Sequence, residues 1–203
     1  MKELTHSKYL FGAFFLNSLA NAIPATLFLL YVELVIGSKD KVGLLLLLYF
    51  FSGIVALVFW SYLAKKSSKK TAWTFSILNA IVFFSFVPIL GEGDFLFFLI
   101  ITVFSGLSLG ADMALPASMQ ADVAQNSKSS QGELGGTFFG FFAMITKFSL
   151  ALGVGITFGV LGLLDFEPTA VTQESLLILS LLYGALPVIL KLLALIVLRK
   201  YDE

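Results

Sequence analysis

Apolar residues fill the chain in six long runs, and polar residues fall in short clusters between them. The runs are Tyr9–Ile36, Val42–Leu63, Ala72–Leu90, Phe95–Met119, Gly136–Leu164 and Ser175–Leu198. Each is about as long as the roughly 20 residues a helix needs to cross the hydrocarbon core of a bilayer. The clusters "GSKDK" (37–41), "AKKSSKK" (64–70) and "GEGD" (91–94) read as turns, and "QADVAQNSKSSQGELG" (120–135) is the longest break. Lipid offers a backbone amide no partner, so a helix, which satisfies its own amides, is the predicted element. Barrel strands would alternate in segments of about ten residues, whereas these runs are continuous. The pattern predicts an all-α membrane protein with six transmembrane helices.

Composition sharpens this reading. The 203 residues are 58% hydrophobic and 13% charged, where a soluble domain carries about 25% charge. The 22 phenylalanines suit a lipid-facing surface. The formal net charge is zero, which offers no global argument for binding a polyanion, and no nucleic-acid partner is expected. There is no cysteine, and the one histidine, His6, lies in the N-terminal tail. Disulfides, thiolate or histidine metal sites and a Ser-His-Asp triad are therefore not expected. Neither a cofactor nor a metal is expected, and an enzyme is not the predicted class. The first run is too long for the apolar core of a cleavable signal peptide, so none is expected.

Six spans place both termini on one side. That side collects Lys2, Lys8, Lys65, Lys66, Lys69, Lys70, Lys128, Arg199 and Lys200, and the other carries only Lys39 and Lys41. Basic loops stay on the cytoplasmic side, so a multi-pass protein of the cytoplasmic (inner) membrane with both termini cytoplasmic is predicted.

Charges inside the runs carry the candidate chemistry, because a charge at mid-membrane normally faces a bundle interior or a hydrated cavity. Asp112 lies roughly 12 Å and Lys147 roughly 16 Å from the cytoplasmic edge at about 1.5 Å per residue. The two are expected to approach each other, either along a substrate or ion pathway or as a structural pair. Lys191 is near enough to the end of its run for its stem to carry the ammonium to the headgroups. Glu33 reads as interfacial, and Asp122 as a hydrated carboxylate at the cytoplasmic end. Asn17, Asn21 and Pro24 share one helical face, which reads as a cavity wall or as interhelical hydrogen bonding. Pro116 removes a backbone bond near Asp112, as broken helices beside transport sites do. Gly155 and Gly159 form a GxxxG step that favours close packing. Tyr49, Trp60, Trp73 and Tyr183 are candidates for stacking on a solute or for anchoring at the interface.

"GADMALPASMQADVAQ", followed by "GELGGTFFGFFAMITKFSLALGVGITFGVLGLLDF", resembles the last helices of the glycoside–pentoside–hexuronide:cation symporters, the melibiose-permease-like branch of the major facilitator superfamily. "NSLANAIPATLFLLYVELVIG" and "GLLLLLYFFSGIVALVFWSYLAKKSSKKTAW" are similar to that family's seventh to ninth helices. The resemblance implies the C-terminal half of a twelve-helix transporter. It would be a single bundle of two inverted three-helix repeats, residues 1–94 and 95–203. It further implies cation-coupled symport, with Na⁺ or H⁺, of a sugar-like or related small solute by alternating access. The pathway residues would be Lys147, Asp112, Asn21, Asn17 and Tyr49. The cytoplasmic gate would draw on Asp122, Glu133, Lys65, Lys66, Lys69 and Lys70. Departures accompany the likeness: "QGELGGT" lacks the family's arginine, and Ser67 and Ser68 stand where the basic loop has glycine. The implied partners are the bilayer, the solute, and a separately encoded N-terminal six-helix half or a second copy. The alternative is a non-transporting remnant of a split or truncated transporter gene.

Overall fold

The computed structural model describes the backbone of residues 2–126, 133–168 and 170–201, and side chains within 8–123, 125, 139–168 and 170–201. Seven α-helices, α1 (Lys2–Leu34), α2 (Val42–Lys66), α3 (Lys69–Phe84), α4 (Phe95–Asn126), α5 (Glu133–Leu163), α6 (Gln173–Ser180) and α7 (Leu186–Arg199), form six spans. A short 3₁₀ turn, Val87–Ile89, prolongs α3, and a π-turn, Leu181–Ala185, joins α6 to α7 within the sixth span. No strand occurs among the described residues. The all-α, six-span fold class is as the hydrophobic pattern predicts.

Local chemistry sets the ends. Ser68 caps α3 by accepting the Thr71 amide at 3.1 Å, and Thr172 caps α6 by accepting the Ser175 amide at 3.1 Å. Gly37 ends α1 at φ 68°, with the Ser38 amide returning to the Val32 carbonyl at 3.0 Å. Glycine takes that left-handed conformation without a Cβ penalty. The polar break after the fourth run is shorter than its composition implies, because α4 continues through Ala121 and Asp122 to Asn126.

α1 and α4 are the central helices. α1 packs against α5 and α7, and α4 packs against α2 and α3. In an apolar 18-residue stretch of each span, half of α1 is buried against 22% of α2 and 17% of α5, so these two are the outer walls. α2 and α4 touch backbone to backbone. A Cβ on Gly53 would lie 3.1 Å from the Gly106 carbonyl, and one on Gly106 or Gly110 would overlap the Tyr49 or Gly53 carbonyl. Small residues allow this approach. Near the lysine-rich end, Trp73, Met119, Phe142 and Leu198 form one apolar cluster. Near the opposite end, Tyr31, Phe98, Leu179 and Tyr183 form another.

Pro24 and Pro116 lie inside uninterrupted helices α1 and α4. The broken helix expected at Pro116 therefore does not form there. The irregular turn of the bundle is instead Leu181–Ala185, where the Leu186 amide reaches back five residues to the Leu181 carbonyl. Such π-turns concentrate at functional sites. A Cβ on Gly184 would lie 2.8 Å from the Pro88 ring, so glycine lets the bulge nest against the end of the third span.

Candidate functional site: a buried charge network in a cavity wall

A cavity of about 240 Å³ opens between the central helices. Its walls are mostly apolar and aromatic, from Phe28, Tyr49, Phe50, Phe84 and Tyr183, while Asn21, Asp112 and Lys191 place polar groups on it. Three of the helices deliver those polar groups. Asp112 comes from α4, Asn21 from α1 and Lys191 from α7.

Asp112 is held by donors from two other helices. Its Oδ2 accepts from Asn21 Nδ2 at 2.7 Å and its Oδ1 accepts from Trp73 Nε1 at 2.8 Å. The Lys191 ammonium lies 3.7 Å from Oδ2, with side-chain exposures of 4% for Lys191 and 9% for Asp112. Lys191 donates its one short hydrogen bond, 2.7 Å, to Asn17 Oδ1. Removing an ion pair from water costs several kcal/mol per ion unless the remaining lone pairs and protons are satisfied. Trp73 and the two asparagines supply three of those partners, two for Asp112 and one for Lys191. Asn17, Asn21 and Pro24 do share a working face: the asparagines hold the two charges, and Pro24 lines the cavity.

Three expectations differ from the structure. Asp112 pairs with Lys191, not with Lys147. Lys147 is exposed on α5 beside Gly140, Ala143 and Met144, away from the cavity. The physical reason is the phase of α5. Phe142, Ile145, Ser149, Gly153 and Thr157 form its buried face, and Lys147 projects from the opposite side. Lys191 in turn does not reach for the headgroups, because α7 turns it inward onto Asn17. The GxxxG step also faces outward. A Cβ on Gly155 or Gly159 would meet nothing within 4 Å, while Gly153 is the α5 glycine that packs, against Ala22 of α1.

The aromatic candidates divide by chemistry. Tyr49 and Tyr183 line the cavity, and Tyr183 stacks on Tyr31 at 4.2 Å. The indoles instead bind helices together: Trp60 Nε1 donates to the Leu107 carbonyl at 2.7 Å, and Trp73 holds Asp112. Trp73 and Lys191 are the site residues that the sequence reading did not place in the site.

At the lysine-rich end, Lys69 pairs with Asp122 at 2.5 Å and joins α3 to α4. Lys70 donates to the Arg199 carbonyl at 3.2 Å and to the Tyr201 carbonyl, closing the end of α7 onto α3. Lys65 and Lys66 are exposed in the last turn of α2, where cations suit the helix dipole. The Glu133 side chain lies outside the described residues. At the other end Glu33 is exposed and pairs with Lys39 at 2.5 Å.

Residues 6–202 match the family described as MFS/sugar transport protein. This chain belongs to that family, within the major facilitator superfamily. Its similarity extends to the sodium-dependent lysophosphatidylcholine symporter 1 of Gallus gallus, 29% identical over 98% of this chain and 39% of that protein. The protein of the same name in Homo sapiens is 27% identical over 98% of this chain and 38% of its own length. The sphingosine-1-phosphate transporter of Xenopus tropicalis is 29% identical over 95% of this chain and 38% of that protein. The chain thus spans about two fifths of the length of the curated relatives it matches. The family and these relatives are transporters, and the six apolar helices make the chain a multi-pass membrane protein. The relatives are named for lipid solutes, so a sugar-like solute is not supported.

Proposed function

We propose that this chain is the C-terminal six-helix half of a cation-coupled secondary transporter that moves a phosphate-bearing, lipid-like solute by alternating access. The observation that carries the reading is the cavity itself. It is an aromatic chamber with one buried ion pair in its wall, which suits a solute that is largely apolar with a charged head. The names of the relatives point the same way, both solutes being amphiphiles that carry phosphate. The sequence likeness to the glycoside–pentoside–hexuronide:cation symporters supports the superfamily and the placement as a C-terminal half.

Residues 1–94 and 95–203 act as two inverted three-helix repeats. Support comes from packing that survives exchanging the two sets: α2 lies on α4 as α5 lies on α1, and α3 lies on α4 as α7 lies on α1. Repeats of this kind place the solute site at their interface, where Asn21 of the first repeat meets Asp112 of the second. The lysine-rich end is cytoplasmic by its charge excess, and Lys69–Asp122 with Lys70 forms its latch. Lys147 faces a second six-helix half, which supplies the other wall of the pathway. Sodium is the coupling ion suggested by relatives named as sodium-dependent.

The test is uptake of a fluorescent lysophospholipid by liposomes holding this chain with a complementary six-helix half, under an imposed Na⁺ gradient. Gradient-driven uptake that needs both halves is expected, and Lys147→Ala should abolish it without lowering the amount of protein. An associated pair that shows no uptake under either a Na⁺ or an H⁺ gradient would overturn the reading and favour a non-transporting remnant.

A further inference from the structure

The two charges in the cavity wall are not equally available. Each Asp112 oxygen already accepts a short hydrogen bond from a neutral donor fixed on another helix, Asn21 Nδ2 or Trp73 Nε1, and the Lys191 ammonium faces Oδ2. An ammonium carries three protons and no acceptor. One of the Lys191 protons goes to Asn17 at 2.7 Å, and the 3.7 Å separation from Asp112 is an attraction across a gap longer than a hydrogen bond. Lys191 therefore has unused donor capacity, and it belongs to the cavity lining.

We infer that Lys191, not Asp112, is the residue that reads the solute's head group, donating a charge-assisted hydrogen bond to a phosphate oxygen. Asp112 is a positioning residue: its negative charge keeps the ammonium charged in an apolar wall and aims it at the cavity. Asn17 fixes the lysine stem from the other side. A cationic head group would meet a carboxylate that already holds two neutral donors and faces an ammonium, and an uncharged head group leaves the spare ammonium protons unused. Hydrogen bonds between ions are short and about twice as strong as neutral ones, so the preference is for the anionic group. This assignment rests on the transport reading for the class of solute, but its test is a binding measurement that does not need transport.

The experiment compares amphiphiles with one common alkyl tail and different heads: hexadecyl phosphate, hexadecyltrimethylammonium and hexadecyl maltoside. Their binding to the purified full-length chain is read by native mass spectrometry and by the shift in Tm. The wild-type chain should prefer the phosphate to the maltoside by about tenfold. Lys191→Met should erase that preference, and Lys191→Arg should keep it, because the guanidinium also donates to phosphate. If Lys191→Met alone does not fold, the double variant Asp112→Asn with Lys191→Met removes both charges together and carries the same test. Undiminished phosphate preference in whichever neutral variant folds would overturn the assignment. So would tighter binding of the trimethylammonium head than of the phosphate, which would make Asp112 the receptor. Phosphate binding through Lys191 without any uptake would leave this inference standing and sink the transport reading. Uptake with an unchanged Lys191→Met preference would do the reverse.

Discussion

α4 and α5 carry the same kind of sequence signal and meet opposite environments. Each has glycines at close spacing and a single charge well inside an apolar run. On α4 the glycines lie against the α2 backbone, and Asp112 has hydrogen-bond partners on α1 and α3 with a counter-ion on α7. On α5 Gly155, Gly159 and Gly162 face open space, and Lys147 is exposed. The difference teaches that a small-residue step and a buried-looking charge announce a partner without saying whether it lies in the same chain. α4 finds its partners within these six spans. α5 presents its signal to whatever lies outside them.

The sharpest way to break this contrast is to neutralise Asp112. Asp112→Asn leaves the Lys191 ammonium buried without its counter-charge, and breaking a buried pair costs about 3–5 kcal/mol. Thermal unfolding in detergent should show a large fall in Tm, and Lys191→Met in the same chain should recover much of it. A double-mutant cycle of Asp112 with Lys147 should by contrast be additive, as it is for side chains without shared partners. Coupling between Asp112 and Lys147 would restore the pairing that sequence depth alone suggests.

Next in size are the glycines. Gly110→Ala drives a Cβ into the Gly53 carbonyl, which a backbone atom cannot evade by changing rotamer. Overpacking of this kind costs about 1–3 kcal/mol. Gly155→Ala and Gly159→Ala in the same preparation should leave Tm unchanged. Equal losses at all three positions would erase the distinction between the closed seam and the open one.

A smaller loss belongs to Trp73→Phe, which keeps the ring and removes the Nε1–H donated to Asp112 at 2.8 Å. One hydrogen bond to a charged group inside a membrane protein is worth on the order of 1 kcal/mol, and Tm should fall accordingly. Smallest of all is Lys147→Met, for which no change in the Tm of the chain alone is expected. A marked drop would mean that α5 already uses this lysine within the six-helix bundle.

Much of this was legible from the order of residues, and the misses have physical causes. Six spans follow from the length and continuity of the apolar runs, because a membrane leaves the backbone few alternatives. Asn17, Asn21 and Asp112 stood out because each is costly in lipid, and the structure gathers them into one network. Lys191 was misplaced although the same ruler applies to it. It lies eight residues before Arg199, as Asp112 lies eight before Gln120, so both sit about 12 Å inside their spans. A long flexible stem makes snorkelling look available, and only the facing helix decides between water and a neighbour. Depth alone pairs Lys147 with Asp112, and helix phase undoes that pairing. The spacing of Phe142, Ile145, Ser149 and Gly153 already turns the lysine away from the bundle. Trp73 could not be told from an interfacial anchor, since its role depends on α4 crossing α3 beside Asp112.

The charge network is completed by the final helix, and this bears on how the protein is made. Of these six spans, the one carrying Asn17 and Asn21 is made first and is the least apolar, with mean hydropathy 1.6. α2, at 2.6, is apolar enough to wait in lipid until α4, its principal partner, is synthesised. Asp112 then arrives with its neutral donors in place but without its counter-ion until α7 delivers Lys191. A nascent chain halted before α7 would hold a carboxylate in the bilayer with no positive charge beside it. That should mark it for membrane proteases, so pulse-chase half-lives of stepwise truncations should rise abruptly once Lys191 is included.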